Sequence, residues 1–95
     1  MRMMLRWTVP VEKGNAMVED GSMETVIKDV VEMTKPEAAY FFAEGGERAG
    51  MLFFDLKASS DIPRIAETLF REAGAALEFI PVMNAEDLKK GLGSL

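Results

Sequence analysis

Two adjacent glycines, Gly45 and Gly46, constrain the fold of this chain more than any other feature of its sequence. They separate two runs rich in aromatic and aliphatic residues, at residues 38–44 and 48–57. Because glycine tolerates positive φ, a two-residue Gly-Gly connection is typical of a tight β-hairpin. The sequence therefore predicts two antiparallel strands at the centre of the chain. The further glycines, the lysine and the following helix of a phosphate-binding loop are missing here.

Helical patterns lie on both sides of this hairpin. Before it, apolar side chains recur at helical spacing between residues 23 and 31. This helix is expected to end before Pro36, because the residue that precedes a proline resists helical dihedral angles. Its start has two candidates, since Asn15 and Ser22 are both good N-caps and Gly21 lies between them.

The second helix has the clearest apolar stripe in the chain, between residues 62 and 73. One of residues 59–61 is expected to cap its start, and Gly74 is expected to end it. Two further segments, residues 3–9 and 75–82, are apolar and rich in residues that favour strands. They are predicted to be the first and last strands.

Asn84 is expected to cap a short terminal helix, so the predicted order is β-α-β-β-α-β followed by a small helix. Two β-α-β crossovers joined by a hairpin are the pattern of the ferredoxin-like α+β sandwich. No repeat or linker divides the chain, and we predict one domain over residues 1–95. Its antiparallel sheet should have the strands in the order fourth, first, third, second, with both helices on one face.

Alternation along the predicted strands assigns their side chains to the two faces of the sheet. The face beneath the helices is expected to carry an apolar set that includes Trp7 as a core residue, namely Leu5, Trp7, Phe41, Leu52, Phe54, Leu56, Leu77 and Phe79. A face covered only by water should be mostly polar. The opposite face nevertheless retains six large apolar side chains: Met4, Phe42, Met51, Phe53, Ile80 and Val82.

An apolar patch of that size on a monomer is typical of an interaction site. We expect a homodimer in which two sheets pack face to face about a two-fold axis. The alternative is that the C-terminal tail covers part of this face through Leu92 and Leu95.

Four polar side chains share the same apolar face and are the candidate ligand-binding residues: Arg6, Tyr40, Asp55 and Glu78. Because the first strand is predicted to neighbour the third and the fourth, Arg6 is expected to lie between Asp55 and Glu78. Polar groups of this kind inside an apolar cavity orient small organic ligands. The alternative is a structural ion pair within the interface or at its rim, since buried charges have to be paired.

The chain contains no cysteine and no histidine, which excludes disulfides, thiolate nucleophiles, Ser-His-Asp triads and histidine–zinc sites. Its net charge of -5 disfavours a nucleic-acid-binding surface. No run approaches the roughly 20 apolar residues of a membrane span, and the opening run, broken by Arg6, is too short for a signal peptide. We expect a cytoplasmic protein with no metal, cofactor, nucleic-acid partner or membrane association.

The predicted arrangement resembles the dimeric α/β-barrel superfamily, in which two ferredoxin-like subunits pack sheet against sheet. Within it, the opening strand that ends in Trp7-Thr8-Val9-Pro10 is similar to the start of a family of small uncharacterised bacterial and archaeal proteins. The segment at residues 79–83, with Pro81 before Val82, is similar to the endings of those proteins. The superfamily includes cofactor-free monooxygenases, lactone isomerases, haem-degrading enzymes and small-ligand sensors. Its haem-linked members rely on histidine, and no catalytic motif of the superfamily is matched here.

Three functions remain open from the sequence. The first is a non-enzymatic homodimer that binds a small apolar or amphipathic molecule between its sheets, near the four polar candidates. The second is a cofactor-free isomerase or monooxygenase in which an aspartate or glutamate acts as the base. The third is a structural or assembly module whose interface is dry.

Overall fold

The structure, a computed structural model, describes all 95 residues. A four-stranded sheet carries its helices in the predicted chain order, except that two helices replace the single one expected between the first two strands, and one 3₁₀ turn lies at Ser59–Asp61. The elements are β1 (Arg2–Val9), α1 (Val11–Asp20), α2 (Ser22–Thr34), β2 (Ala38–Glu44), β3 (Glu47–Asp55), α3 (Ile62–Ala73), β4 (Ala76–Pro81) and α4 (Ala85–Leu92).

The sheet has the strand order β2-β3-β1-β4, and every neighbouring pair is antiparallel. This confirms the predicted α+β architecture and strand order. Glu44 lies opposite Glu47 across the hairpin, and Gly45 and Gly46 have φ values of 58° and 81°. A tight two-residue hairpin turn requires positive φ at both of its residues, which the Gly-Gly pair provides.

The first helical region differs from the prediction, because it consists of two helices and neither expected N-cap acts as one. α1 begins directly after Pro10, whose carbonyl accepts the first helical hydrogen bond from Gly14 N at 2.8 Å. Asn15 is therefore inside α1, and Ser22 is the first residue of α2. Gly21, at φ 82°, separates the two helices. The Asp20 carboxylate accepts a hydrogen bond from Ser22 N at 2.8 Å, which satisfies an amide at the start of α2.

α3 begins after Asp61, as predicted, but neither Asp61 nor the 3₁₀ turn at Ser59–Asp61 provides the expected side-chain cap. The other helix ends agree with the prediction. α2 ends at Thr34, two residues before Pro36. Gly74 ends α3 in the left-handed conformation, with φ 58°. Asn84 caps α4 through a reciprocal capping box, in which its side chain accepts from Asp87 N at 2.8 Å and Asp87 accepts from Asn84 N at 3.2 Å.

The core lies between the helices and one face of the sheet. Leu5 and Leu52 are opposite each other on β1 and β3 and are completely buried, as is Leu69 on α3. The predicted core set is otherwise buried or half-buried except for Phe41, which is 56% exposed. Phe41 does point to the helical side, but β2 is an edge strand and the helices do not cover its outer residues. None of the four helices is long and apolar enough to cross a membrane.

Candidate functional site

The face of the sheet opposite the helices, called here the open face, is the candidate site. Its central row is apolar, because Met4 on β1 lies opposite Phe53 on β3 and Ile80 on β4. The strand register places all six predicted interface side chains on this face: Met4, Phe42, Met51, Phe53, Ile80 and Val82. Their role as dimer contacts stays a prediction.

No helix packs over the apolar centre of the open face, and α4 meets only one end of it, where Arg2 Nη1 lies 3.6 Å from Asp87 Oδ2. The alternative in which the C-terminal tail lies over it is wrong, since Leu92 is 57% exposed and Leu95 is fully exposed. Every residue of α4 is exposed, so this helix buries no apolar side chain anywhere. The aromatic rings of Tyr40 and Phe42, on the edge strand β2, are exposed as well. The other five apolar side chains of the face are half-buried, so the face is partly exposed to water in a single copy of the chain.

Arg6 has one of its two predicted neighbours. On β1 it lies opposite Glu78 of β4, as expected, but its partner on β3 is Met51 and not Asp55. The Arg6 guanidinium forms an ion pair with Glu44, at the hairpin end of β2. The expected grouping of Arg6, Asp55 and Glu78 is thus half correct.

Asp55 and Tyr40 lie farther from Arg6. Asp55 is opposite Arg2, and Arg2 is four residues from Arg6, which at about 3.3 Å per residue is roughly 13 Å along the strand. Tyr40 is opposite Met51, in the same row as Arg6 but two strands away, a separation of about 10 Å. The four predicted ligand-binding residues therefore share a face, while only Arg6 and Glu78 are direct neighbours.

A small cavity of about 160 Å³ lies next to Arg6, at the end of the open face that is nearer the β2–β3 hairpin. Arg6, Thr8, Glu44 and Glu78 line it with polar groups, and Ala76 is among its apolar neighbours. One guanidinium, two carboxylates and a hydroxyl provide both donors and acceptors, which suits a small group that can do both. Sequence reasoning missed Glu44. A signal was available in the Gly-Gly turn, because a two-residue hairpin loop places Glu44 opposite Glu47, and two facing carboxylates are stabilised when one of them pairs with a nearby cation.

A second charged cluster lies at the other end of the open face. Lys57 Nζ donates to Asp55 Oδ2 at 2.6 Å, and the Met1 amino group donates to Asp55 Oδ1 at 2.8 Å. These two contacts, that of Lys57 first, lower the pKa of Asp55 to about 2. Arg2 donates to Glu37 Oε1 at 2.6 Å, and this pairing raises the pKa of Arg2. The acidic side chains of this cluster are exposed and already paired, and no group of three carboxylates is placed to hold a metal ion.

Comparison with known proteins agrees with this architecture. No protein-family model matches the chain, and no curated protein matches it significantly. Solved structures match its backbone, among them the following two. The periplasmic divalent cation tolerance protein CutA from Archaeoglobus fulgidus is 16% identical over 98% of this chain and 93% of its own, with a TM-score of 0.50. The chain has a ferredoxin-like fold. A de novo designed protein, Ferredog-Diesel, is 13% identical over 85% of each chain, with a TM-score of 0.51.

Proposed function

We propose that this protein is a homodimeric binding protein, in which two open faces pack against each other and hold a small amphipathic molecule beside Arg6. The observation that carries this proposal is the row of half-buried apolar side chains, Met4, Phe53 and Ile80, on a sheet face over which no helix packs. The proposed pairing is that of the dimeric α/β-barrel superfamily, which the Trp7-Thr8-Val9-Pro10 strand end also resembles.

A second copy of the chain is the partner that fits this face. Apolar surface that leaves water contributes about 25 cal/mol per Å², so a continuous apolar row gains free energy only when it is covered. A two-fold axis places identical patches against each other and requires no second kind of partner. The charged clusters at the two ends of the face match the usual anatomy of an interface, which has an apolar centre and a polar rim.

The Arg6 cavity is the proposed ligand site. At about 160 Å³ it is smaller than the roughly 300–1,000 Å³ of a typical ligand pocket, and the facing sheet would enclose it and enlarge its apolar wall. Arg6, Glu44 and Glu78 would bind the polar group of the molecule, with its apolar part directed toward the centre of the face. Tyr40 would contact the same molecule only if it extends across about two strand spacings, or roughly 10 Å.

A binding role is favoured over catalysis by Asp55. A carboxylate base is expected to be desolvated, with a raised pKa. Asp55 is exposed, paired with Lys57, and has its pKa lowered to about 2, so it would be a weak base.

The test combines sedimentation with native mass spectrometry at micromolar protein concentration. The wild type is expected to sediment as a dimer, and native spectra of freshly purified dimer are expected to show a bound small molecule. Phe53→Glu places a charge in the middle of the open face, where a monomer tolerates it and a face-to-face dimer does not. This variant is expected to be a folded monomer that has lost the bound mass.

Phe70→Glu is the matched control, because Phe70 is an exposed aromatic residue on the outer side of α3. It should leave the dimer and the bound mass unchanged. A wild type that sediments as a compact monomer would remove the proposal. A dimer that carries no small molecule would instead support a structural module with a dry interface.

A further inference from the structure

A second apolar recess lies on the helical side of the sheet, at the edge strand β2, and Phe42 of the open face also lines it. It is formed where α2 does not reach the edge strand β2, and its volume is about 290 Å³. Seven of its eight lining residues are apolar, and Arg48 is the only charged one. Those that matter for the argument are Trp7, Val9, Met23, Ile27, Phe41 and Arg48.

The floor of the recess is aromatic and well defined. Trp7 is almost completely buried and meets Phe41 edge to face, with ring centroids 6.2 Å apart and an interplanar angle of 68°. Gly50 lies opposite both residues in the sheet. Its missing side chain leaves room for the indole, because a Cβ at Gly50 would lie only 2.2 Å from Trp7 Cζ2. Phe41, more than half exposed, forms the open wall of the recess.

Arg48 is held beside this recess by α1. Its guanidinium packs on Gly14, where a Cβ would come within 2.8 Å of Nη1, and Nη1 donates to Asn15 Oδ1 at 3.1 Å. Arg48 takes part in none of the six ion pairs of the structure. A guanidinium has five N–H donors, and the Asn15 contact uses one of them. The remaining donors have no carboxylate partner in the chain.

We propose that this recess binds a small aryl carboxylate. The aromatic ring would lie against Trp7 and Phe41, and the carboxylate would pair with Arg48. Charge complementarity selects this class of ligand, because the recess offers one exposed cation, which Asn15 orients, and otherwise apolar walls. The volume of about 290 Å³ suits a single-ring compound, since it is just below the roughly 300–1,000 Å³ range of ligand pockets. The recess shares Phe42 with the open face, but Trp7, Phe41 and Arg48 are on the helical side of the sheet, so the proposed contacts do not require the dimer.

Trp7 is the only tryptophan of the chain and reports directly on the recess. The experiment follows Trp7 fluorescence during titration with phenylpropionate, and with phenylpropionamide as a neutral analogue of the same shape. Titrations at physiological salt screen the net negative charge of the protein. The carboxylate is expected to give a saturable change in Trp7 fluorescence. Because its pair with Arg48 is charge-assisted, it should bind at least about tenfold more tightly than the amide.

Variants separate the role of Arg48 from a general effect of charge. Arg48→Gln should abolish the preference for the carboxylate, and Arg48→Lys should retain part of it. Arg71→Gln is the control, because it removes a positive charge at an exposed site on α3, and it should leave the preference intact. The Phe53→Glu variant should bind as the wild type does. Equal binding of acid and amide, or no saturable change with either, would overturn the proposal. So would a Trp7 emission of the Phe53→Glu variant that changes with protein concentration alone, because a second copy of the chain would then occupy the recess without the open-face dimer.

Discussion

Replacing Gly50 by alanine tests how the central strands pack on Trp7. Gly50 is opposite Trp7 on β1 and Phe41 on β2, and the indole lies over its Cα. An alanine Cβ would be 2.2 Å from Cζ2 of the indole and 2.6 Å from Cε2 and Cη2. Non-bonded carbon atoms prefer a separation of about 3.5–4.0 Å. The ring or the strand therefore has to move by more than about 1 Å to admit one methyl group.

Two effects of opposite sign determine the change in stability. Alanine in a strand interior is favoured over glycine by about 0.5–1 kcal/mol, because the unfolded chain loses conformational freedom. Overpacking a core costs about 1–3 kcal/mol, and the upper part of that range applies because a rigid ring, 3% exposed, has to give way. The net loss is about 1–2.5 kcal/mol, which lowers the Tm of a domain of this size by roughly 5–15 °C.

Thermal unfolding followed by Trp7 fluorescence measures this loss. Gly91→Ala is the matched control, because Gly91 lies in α4 and a Cβ there meets no atom within 4 Å. That substitution should leave the Tm unchanged or raise it slightly, since alanine is favoured in helices by about 1 kcal/mol. If Gly50→Ala melts at or above the wild-type temperature, the indole does not lie on the strand, and the proposed recess has no aromatic floor.

Two further predictions concern exposed elements. The pKa of Asp55, held at about 2 by Lys57 and the Met1 amino group, is below its unfolded value, so its stabilising effect is complete above about pH 4 and is lost as pH falls toward 2. Asp55→Asn should therefore destabilise the protein at neutral pH, and its acid-unfolding curve should converge with that of the wild type near pH 2; parallel curves would contradict this. Asn84→Ala should remove the cap of α4 at a cost of about 1 kcal/mol, which lowers hydrogen-exchange protection in that helix roughly fivefold. The overall Tm should stay unchanged, because α4 buries no side chain, and a fall in Tm would show that α4 is packed.

The fold was predictable because its signals are local. Gly45-Gly46 sets the hairpin, the helical stripes set the crossovers, and alternation assigns each strand residue to a face. The register between neighbouring strands, which decides which residues lie opposite each other, was not predictable. A slip of two residues between β1 and β3 leaves every side chain on its own face. Alternation therefore placed Arg6 and Asp55 on the correct face but could not show that Met51, and not Asp55, is opposite Arg6.

The missed features depend on contacts between distant segments. Two helices precede β2 because Pro10 starts α1 and Gly21, in the left-handed conformation, separates α1 from α2. Neither effect involves a side-chain cap, which is the signal that Asn15 and Ser22 offered. The Arg48 recess was missed because its walls come from different elements. An isolated glycine inside a strand, at Gly50, is a signal of close approach by another group and was present in the sequence.

Pairing through a sheet edge is the main competitor of the proposed dimer, and the energetics favour the face. β4 is a poor edge for pairing because Pro81 has no N–H, whereas β2 exposes residues from Tyr40 to Ala43. Edge pairing through β2 would satisfy backbone groups that water already satisfies, at a net gain of only about 0.5–1.5 kcal/mol per hydrogen bond. It would leave the row of Met4, Phe53 and Ile80 in water. Face pairing covers that row and leaves the edges solvated, so Phe53→Glu should dissociate a face-to-face dimer and would leave an edge-paired dimer intact.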